Sequence, residues 1–183
     1  MPHVRIPRPA TDEYAPYFQR YLEKIPDGDL IEHLTDQLAE TRAMLGSLSD
    51  SDARFRYAPD KWSVKEVVGH ITDTERIMAY RALCFARGEE GLLPSFDENA
   101  YVKASRFDER TLGALVAELG TVRASTIAFF DGLTDDELLR RGRVPSGEYT
   151  VRALAHIIAG HERHHQQILR GRYLAPIRRG GDA

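Results

Sequence analysis

A chain of 183 residues with 42% hydrophobic content is long enough to bury one substantial core, and its length favours a single domain. Lys and Arg total 25 against 28 for Asp and Glu, a formal charge of −3, so the basic field that drives phosphate-backbone binding is missing and nucleic acid is not an expected partner. Cys84 is the only cysteine, which excludes an internal disulfide framework and any zinc site built on several thiolates.

The opening MPHVRIPRPATDEY has no apolar stretch of the signal-peptide kind, and no run approaches the roughly 18 apolar residues of a membrane span. The expectation is a soluble, cytoplasmic protein with no membrane partner. Residues 1–28 carry Pro2, Pro7, Pro9, Pro16 and Pro26, too many for a long regular element, yet Tyr14, Tyr17, Phe18, Tyr21 and Leu22 give the segment something to bury. It reads as an arm packed over the domain.

From about Asp29 the sequence becomes periodic. Leu30, Leu34, Leu38, Thr41, Leu45 and Leu48 line one helical face. Ser63-Val-Lys-Glu66 is a capping box that starts a second helix, which runs to about Arg87 with Gly88 as its stop. Its stripe is Val64, Val67, Val68, Ile71, Met78, Ala82 and Phe85. The stretch GEEGLLPSFDENAYVKASRF reads as a long loop of the kind that often carries function. A third helix is expected from near Asp108, with Leu112, Leu115, Val116, Leu119, Val122, Phe129 and Phe130 as its stripe. Thr134-Asp-Asp-Glu137 starts a short helix, RVPSGEYT is a turn with a little extended structure, and Thr150 caps a last helix that stops before Gly171. Residues 29–175 then form an all-α, antiparallel four-helix bundle of the up-and-down kind, with 176–183 as a tail.

Three of the seven histidines fall within HERHHQQI, residues 161–168. At about 100° per residue, His161 and His165 lie inside the apolar stripe of Leu154, Ile158 and Ile168, one turn apart, where a core would otherwise take aliphatic side chains. Imidazole nitrogen suits Zn, Ni, Fe and Cu, and such a pair needs a third ligand from elsewhere. His70, beside the stripe of the second helix, is the candidate. His156 and His164 project away from the stripe. Spacing alone leaves two readings open, a metal site and ordinary hydrogen-bonded core histidines. HERHH also matches the His-Glu-x-x-His pattern of zinc proteases, but those enzymes need a distinct third ligand and a sheet.

In combination, DKWSVKEVVGHITDTE, LPSFDENAYV and HERHHQQIL resemble the DinB-like superfamily, and within it the YfiT-type proteins. The resemblance spans roughly Ile31 to Leu174. It implies a four-helix bundle that is often a homodimer, with a divalent metal, zinc or nickel, held by His70, His161 and His165. It further implies action on a small molecule. One form is thiol transfer, in which a low-molecular-weight thiol such as bacillithiol or mycothiol is ionised at the metal. The other enzymatic form is hydrolysis by metal-activated water, and a non-catalytic structural metal is the alternative from another class.

Other residues carry two readings each. Glu75, on the stripe of the second helix, is a candidate imidazole partner or proton acceptor, or else an ion-pair partner for an arginine. Asp97 and Glu98 are candidate polar lid residues, or ordinary solvated loop. Trp62 reads as a core anchor, Cys84 as a small hydrophobe, and Arg140, Arg141, Arg143, Arg178 and Arg179 as either a hold on an acidic thiol or a solvated surface.

Overall fold

The computed structural model describes residues 5–180, with side chains through residue 177. Its frame is four long helices: α2 (Leu30–Leu45), α3 (Val64–Ala86), α5 (Leu112–Asp131) and α7 (Val151–Ile168). Each begins at a side-chain cap that satisfies orphan amides: Asp29, Ser63 with Glu66, Thr111 and Thr150. Shorter pieces join them: α1 (Gln19–Leu22), α4 (Glu98–Ala104), α6 (Asp135–Leu139), and a hairpin of β1 (Arg141–Val144) with β2 (Gly147–Thr150). Beyond α7 the chain winds through a π turn, Leu169–Leu174, into α8 (Ala175–Gly180), so Gly171 does not end the helix.

The four-helix bundle expected from the sequence is present, and its helix directions run up, down, down, up. Gln37 donates to the Ala159 carbonyl and Thr41 to Glu162, so α2 and α7 are parallel. Arg123 reaches the Leu34 carbonyl while Leu112 is held by Asp50, which makes α2 and α5 antiparallel. Lys65 bonds the Arg110 carbonyl and Arg76 pairs with Glu118, so α3 and α5 run parallel. The start of α3 meets the end of α7. Direct packing joins α2 and α3 each to α5 and α7, so α2 and α3 lie across the bundle from each other. Alternation therefore fails between α3 and α5, and the segment 87–111 has to return along the roughly 34 Å of α3. That physical demand accounts for the length of the stretch expected to be a loop, although its residues Glu98–Ala104 fold as α4.

Two apolar clusters fill the bundle. One joins the arm (Ile6, Tyr14, Tyr21, Leu22, Ile25) to the start of α2, the last turns of α3, the hairpin and the first half of α7. The other gathers Met44 and Leu45, the first turns of α3, Leu112, Leu115 and Leu119, and Leu169, Tyr173 and Leu174. Between them every long helix contributes buried polar groups at one level: Gln37 and Thr41, Thr74 and Glu75, Arg123 and Thr126, Glu162 and Gln166. Arg123 is the hub. It forks onto Glu75, Nε to Oε1 at 2.9 Å and Nη2 to Oε2 at 2.7 Å, and reaches Glu162 Oε2 at 2.6 Å. Burial opposes its charge, but the Glu162 and Glu75 carboxylates outweigh that and raise its pKa further. Glu162, one residue from His161, thus shares one guanidinium with Glu75. Among the described residues α5 alone has the length and mean hydropathy, 1.3, of a membrane span; here it packs on α2 and α3 around the buried Arg123.

Candidate metal centre

His70 sits in the second turn of α3, and His161 and His165 occupy successive turns near the end of α7. Because these helices are antiparallel neighbours, the three imidazoles meet at one end of the bundle. The Nε2 atom of His161 lies 3.0 Å from that of His70 and 3.1 Å from that of His165, and the three candidate ligand atoms lie within 4.8 Å of one another. All three residues are buried.

Glycine precedes two of these histidines, and in each case it lets another element close in. A Cβ at Gly69 would overlap the Phe107 ring, and one at Gly160 would overlap the Tyr21 backbone. Phe107 thus covers α3 at His70, and the arm lies directly on α7 at His161. Trp62 packs on His70 at a tilt, with ring centroids 4.6 Å apart, and Tyr21 meets His161 and His164 edge-on at 5.6 and 5.1 Å.

Burial lowers the pKa of His70 to about 4. Burial, and then the neighbouring imidazoles, holds His161 and His165 well below the usual histidine range. At neutral pH all three are therefore uncharged, the form that ligates. Tyr21 is pushed up to about 12 by burial and by its contact with Tyr17, so its hydroxyl stays protonated.

The donor set fits a divalent ion. Two imidazoles bound to one ion at about 2.0–2.1 Å in tetrahedral geometry hold their nitrogens about 3.3 Å apart, close to the two spacings seen from His161. Three neutral Nε2 atoms facing one point need a cation there, or protons shared between them, and at most one proton fits each N···N line. His165 Nδ1 is buried without a partner, so the hydrogen bond that commonly orients a ligating histidine is missing at that residue.

The site is not sealed. A cleft of about 370 Å³ opens onto His70 and His161, walled by Tyr17, Phe18 and Tyr21 of the arm, Met78 and Arg81 of α3, and Phe96 of the long loop. Glu98 is the one carboxylate on its lining.

Several residues weighed from sequence are engaged elsewhere. Glu75 directs both oxygens to Arg123, not to an imidazole. Asp97 is exposed and caps α4, accepting from the amides of Asn99 and Ala100 at 2.9 and 3.1 Å. It is Glu98 that faces the cleft. His156 is not outward-facing: it is buried away from the cluster, with Nδ1 2.9 Å from the Arg152 carbonyl. His164 is half-buried beside Tyr21. Trp62 is half-buried against His70 rather than deep in the core. Cys84 packs against the first apolar cluster. Arg140 bonds the Ala86 carbonyl, and Arg141 pairs with Asp12 and Glu148 near the hairpin; the side chains of Arg178 and Arg179 lie outside the described residues. Sequence reasoning passed over Arg123, Thr74 and Arg81, and met Glu162 only as the glutamate of the HERHH match, not as a partner of Arg123. Arg123 and Glu162 had a signal for that pairing, since a charge at an apolar position of an amphipathic stripe needs a partner.

No curated protein matches the chain. Among solved structures it is similar to YfiT from Bacillus subtilis, described as a probable metal-dependent hydrolase with an unusual four-helix bundle topology. The TM-score is 0.71 and the identity 21%, over 83% of this chain and 86% of that one. The sequence profile of the DinB superfamily matches residues 33–169, a span that holds all three clustered histidines. By that match the chain belongs to the DinB superfamily.

Proposed function

We propose that the protein is a metal-dependent enzyme acting on a small molecule, with His70, His161 and His165 as the ligands of one divalent ion, zinc or nickel. The observation that carries this reading is the convergence of three buried, uncharged imidazoles, two of which, His70 and His161, line an open cleft. A purely structural ion is enclosed by a complete set of protein ligands, whereas three ligands and an open side suit catalysis. When bound, the ion supplies Lewis-acid chemistry that favours the anionic form of an oxygen or sulfur donor completing its shell.

Thiol transfer is the form of activity we favour. Hydrolysis usually asks for a proton acceptor positioned at the metal-bound water; Glu75 and Glu162 are committed to Arg123 and Asp73 pairs with Arg76, which leaves Glu98, on the cleft lining, as the one carboxylate there for that role. A thiol ionised at the metal needs only to be aimed at an electrophile, and the walls from Tyr17, Phe18, Met78 and Phe96 suit the apolar body of such a substrate. Hydrolysis is the second reading, supported by the description of the structural neighbour YfiT.

The test compares zinc- and nickel-loaded protein with metal-free protein. Bacillithiol or mycothiol is supplied with an aryl halide or epoxide, and in parallel a panel of esters and amides without thiol. Metal-dependent loss of free thiol, absent from a His161→Ala variant, supports transfer. Metal-dependent acid release without thiol shifts the assignment to hydrolysis. No turnover in either arm with metal bound contradicts the enzyme reading.

A further inference from the structure

His70, Thr74, Met78 and Arg81 follow one another at helical spacing along α3, and all four line the cleft. The histidine end is accounted for by the proposed metal. The other end holds the Arg81 guanidinium, and Glu98, the one carboxylate on the lining, forms no ion pair with it. Arg81 is 7% exposed, yet among the described residues no carboxylate forms an ion pair with it. Its hydrogen bonds run from Nη2 to the Pro94 carbonyl at 2.7 Å and from Nη1 to the Met78 sulfur at 3.8 Å. The Phe96 ring lies 5.7 Å from the guanidinium carbon. Five N–H donors are thus met by one good acceptor and one weak one. Every other arginine buried below a tenth exposure among the described residues, namely Arg123, has two carboxylates.

Thr74 gives an independent sign. It is 4% exposed and lines the same cleft, and its Oγ1 has no hydrogen-bond partner. A threonine inside a helix can usually bond a carbonyl one turn back, as Thr72 does to Val68. Thr74 instead leaves its hydroxyl open between the histidines and Arg81. A buried cation without a counterion and a buried hydroxyl without a partner are both costly in an empty protein. Both are satisfied if a ligand lies along the cleft.

Resting on the metal-dependent reading above, we propose that Arg81 is the anion-binding end of this cleft, and that the substrate is an extended small molecule with a carboxylate at the end opposite its reacting atom. The contact with Met78 places the guanidinium roughly 12 Å along the helix from His70. That separation selects length: a short acid meets Arg81 or the metal, and a longer one meets both. Arginine's planar fork suits a carboxylate bound through two parallel hydrogen bonds. A role as a mere pin for the long loop needs only the Pro94 bond, and gives no preference among ligands.

The test uses suberic acid monohydroxamate and its terminal-amide analogue, which share a metal-binding head and differ only in the far charge. Their binding to zinc-loaded protein is measured by titration calorimetry, with zinc content checked in each variant. The acid is expected to bind at least tenfold more tightly than the amide to the native protein, and within twofold of it in Arg81→Met. Arg81→Lys, which keeps the charge but not the fork, should retain a smaller preference. Equal affinities in the native protein, or an acid preference that survives in Arg81→Met, overturn the proposal. Should the protein hold no metal, octanoate and octanamide on the metal-free protein replace the hydroxamates under the same criteria. A failed metal site and a failed anion site therefore give different results.

Discussion

The indole of Trp62 and the imidazole of His70 pack together with centroids 4.6 Å apart and planes tilted by 46°, and Trp62 is the only tryptophan in the chain. Intrinsic fluorescence therefore reports on the histidine cluster without a label. Nickel, with an open d shell, should quench it in a titration that ends at one ion per chain, whereas zinc, a d¹⁰ ion, should bind without comparable quenching and block the effect of nickel. His70→Ala should abolish the saturable phase. Quenching that stays linear in nickel, or is unchanged in that variant, would place the ion elsewhere.

Arg123 joins all four long helices through Glu75, Glu162 and the Leu34 carbonyl. Arg123→Met leaves two buried carboxylates without a cation, and the expected loss is about 3–5 kcal/mol in urea unfolding. Replacing Arg123, Glu75 and Glu162 together by methionine removes the stranded charges as well, and should recover most of that loss. A triple variant no more stable than the single one would show that the network contributes more than mutual neutralisation.

Acid should weaken the fold through His156. Burial lowers its pKa from 6.5 to about 4, despite the Arg152 carbonyl that favours its protonated form. The unfolded chain then binds the proton more readily than the folded one, so stability is complete above about pH 6.5 and falls as pH drops toward 4. Between pH 7 and pH 5 this histidine accounts for a loss of about 2 kcal/mol. The loss in the native protein should exceed that in His156→Gln by about that amount, in urea unfolding at the two pH values with chelator present. Equal losses would mean that His156 titrates normally.

Gly160 is where the arm rests on α7. A Cβ there overlaps the Tyr21 backbone, whereas one at Gly113 meets nothing within 4 Å. Gly160→Ala is expected to cost about 1–3 kcal/mol and to weaken binding in the cleft, because Tyr17, Phe18 and Tyr21 form its wall. Gly113→Ala should be neutral or stabilising by up to ~1 kcal/mol. Similar unfolding midpoints for the two variants would argue against the arm as a fixed wall.

The helices were readable wherever a cap stands next to an apolar period. Ser63 with Glu66 and Thr134 with Glu137 mark starts that the structure keeps. Asp108 misled as a start because its carboxylate is drawn to Ser63 and Arg56, and the third long helix begins after Thr111 instead. Gly171 misled as a stop because the chain takes a π turn there and continues. Helix directions leave no local trace, since a parallel pair and an antiparallel pair bury the same stripes; only the length of segment 87–111 hinted at a crossover. The i, i+4 spacing of His161 and His165 is likewise visible in one dimension. The polar layer was readable in principle, because Glu75, Arg123 and Glu162 each occupy a stripe position, but pairing them requires knowing which helices face one another. Thr74 and Arg81 were out of reach, since their cleft is walled by an arm more than fifty residues away in sequence.

The most direct test of the central claim is metal content by elemental mass spectrometry, on protein purified without an affinity tag or chelator and on the His70→Ala/His161→Ala/His165→Ala variant. Near one zinc or nickel ion per chain in the native protein, unchanged in His156→Ala and lost in the triple variant, is the predicted result. A native protein that stays metal-free after zinc and nickel are supplied, or a triple variant that keeps its ion, would contradict the account.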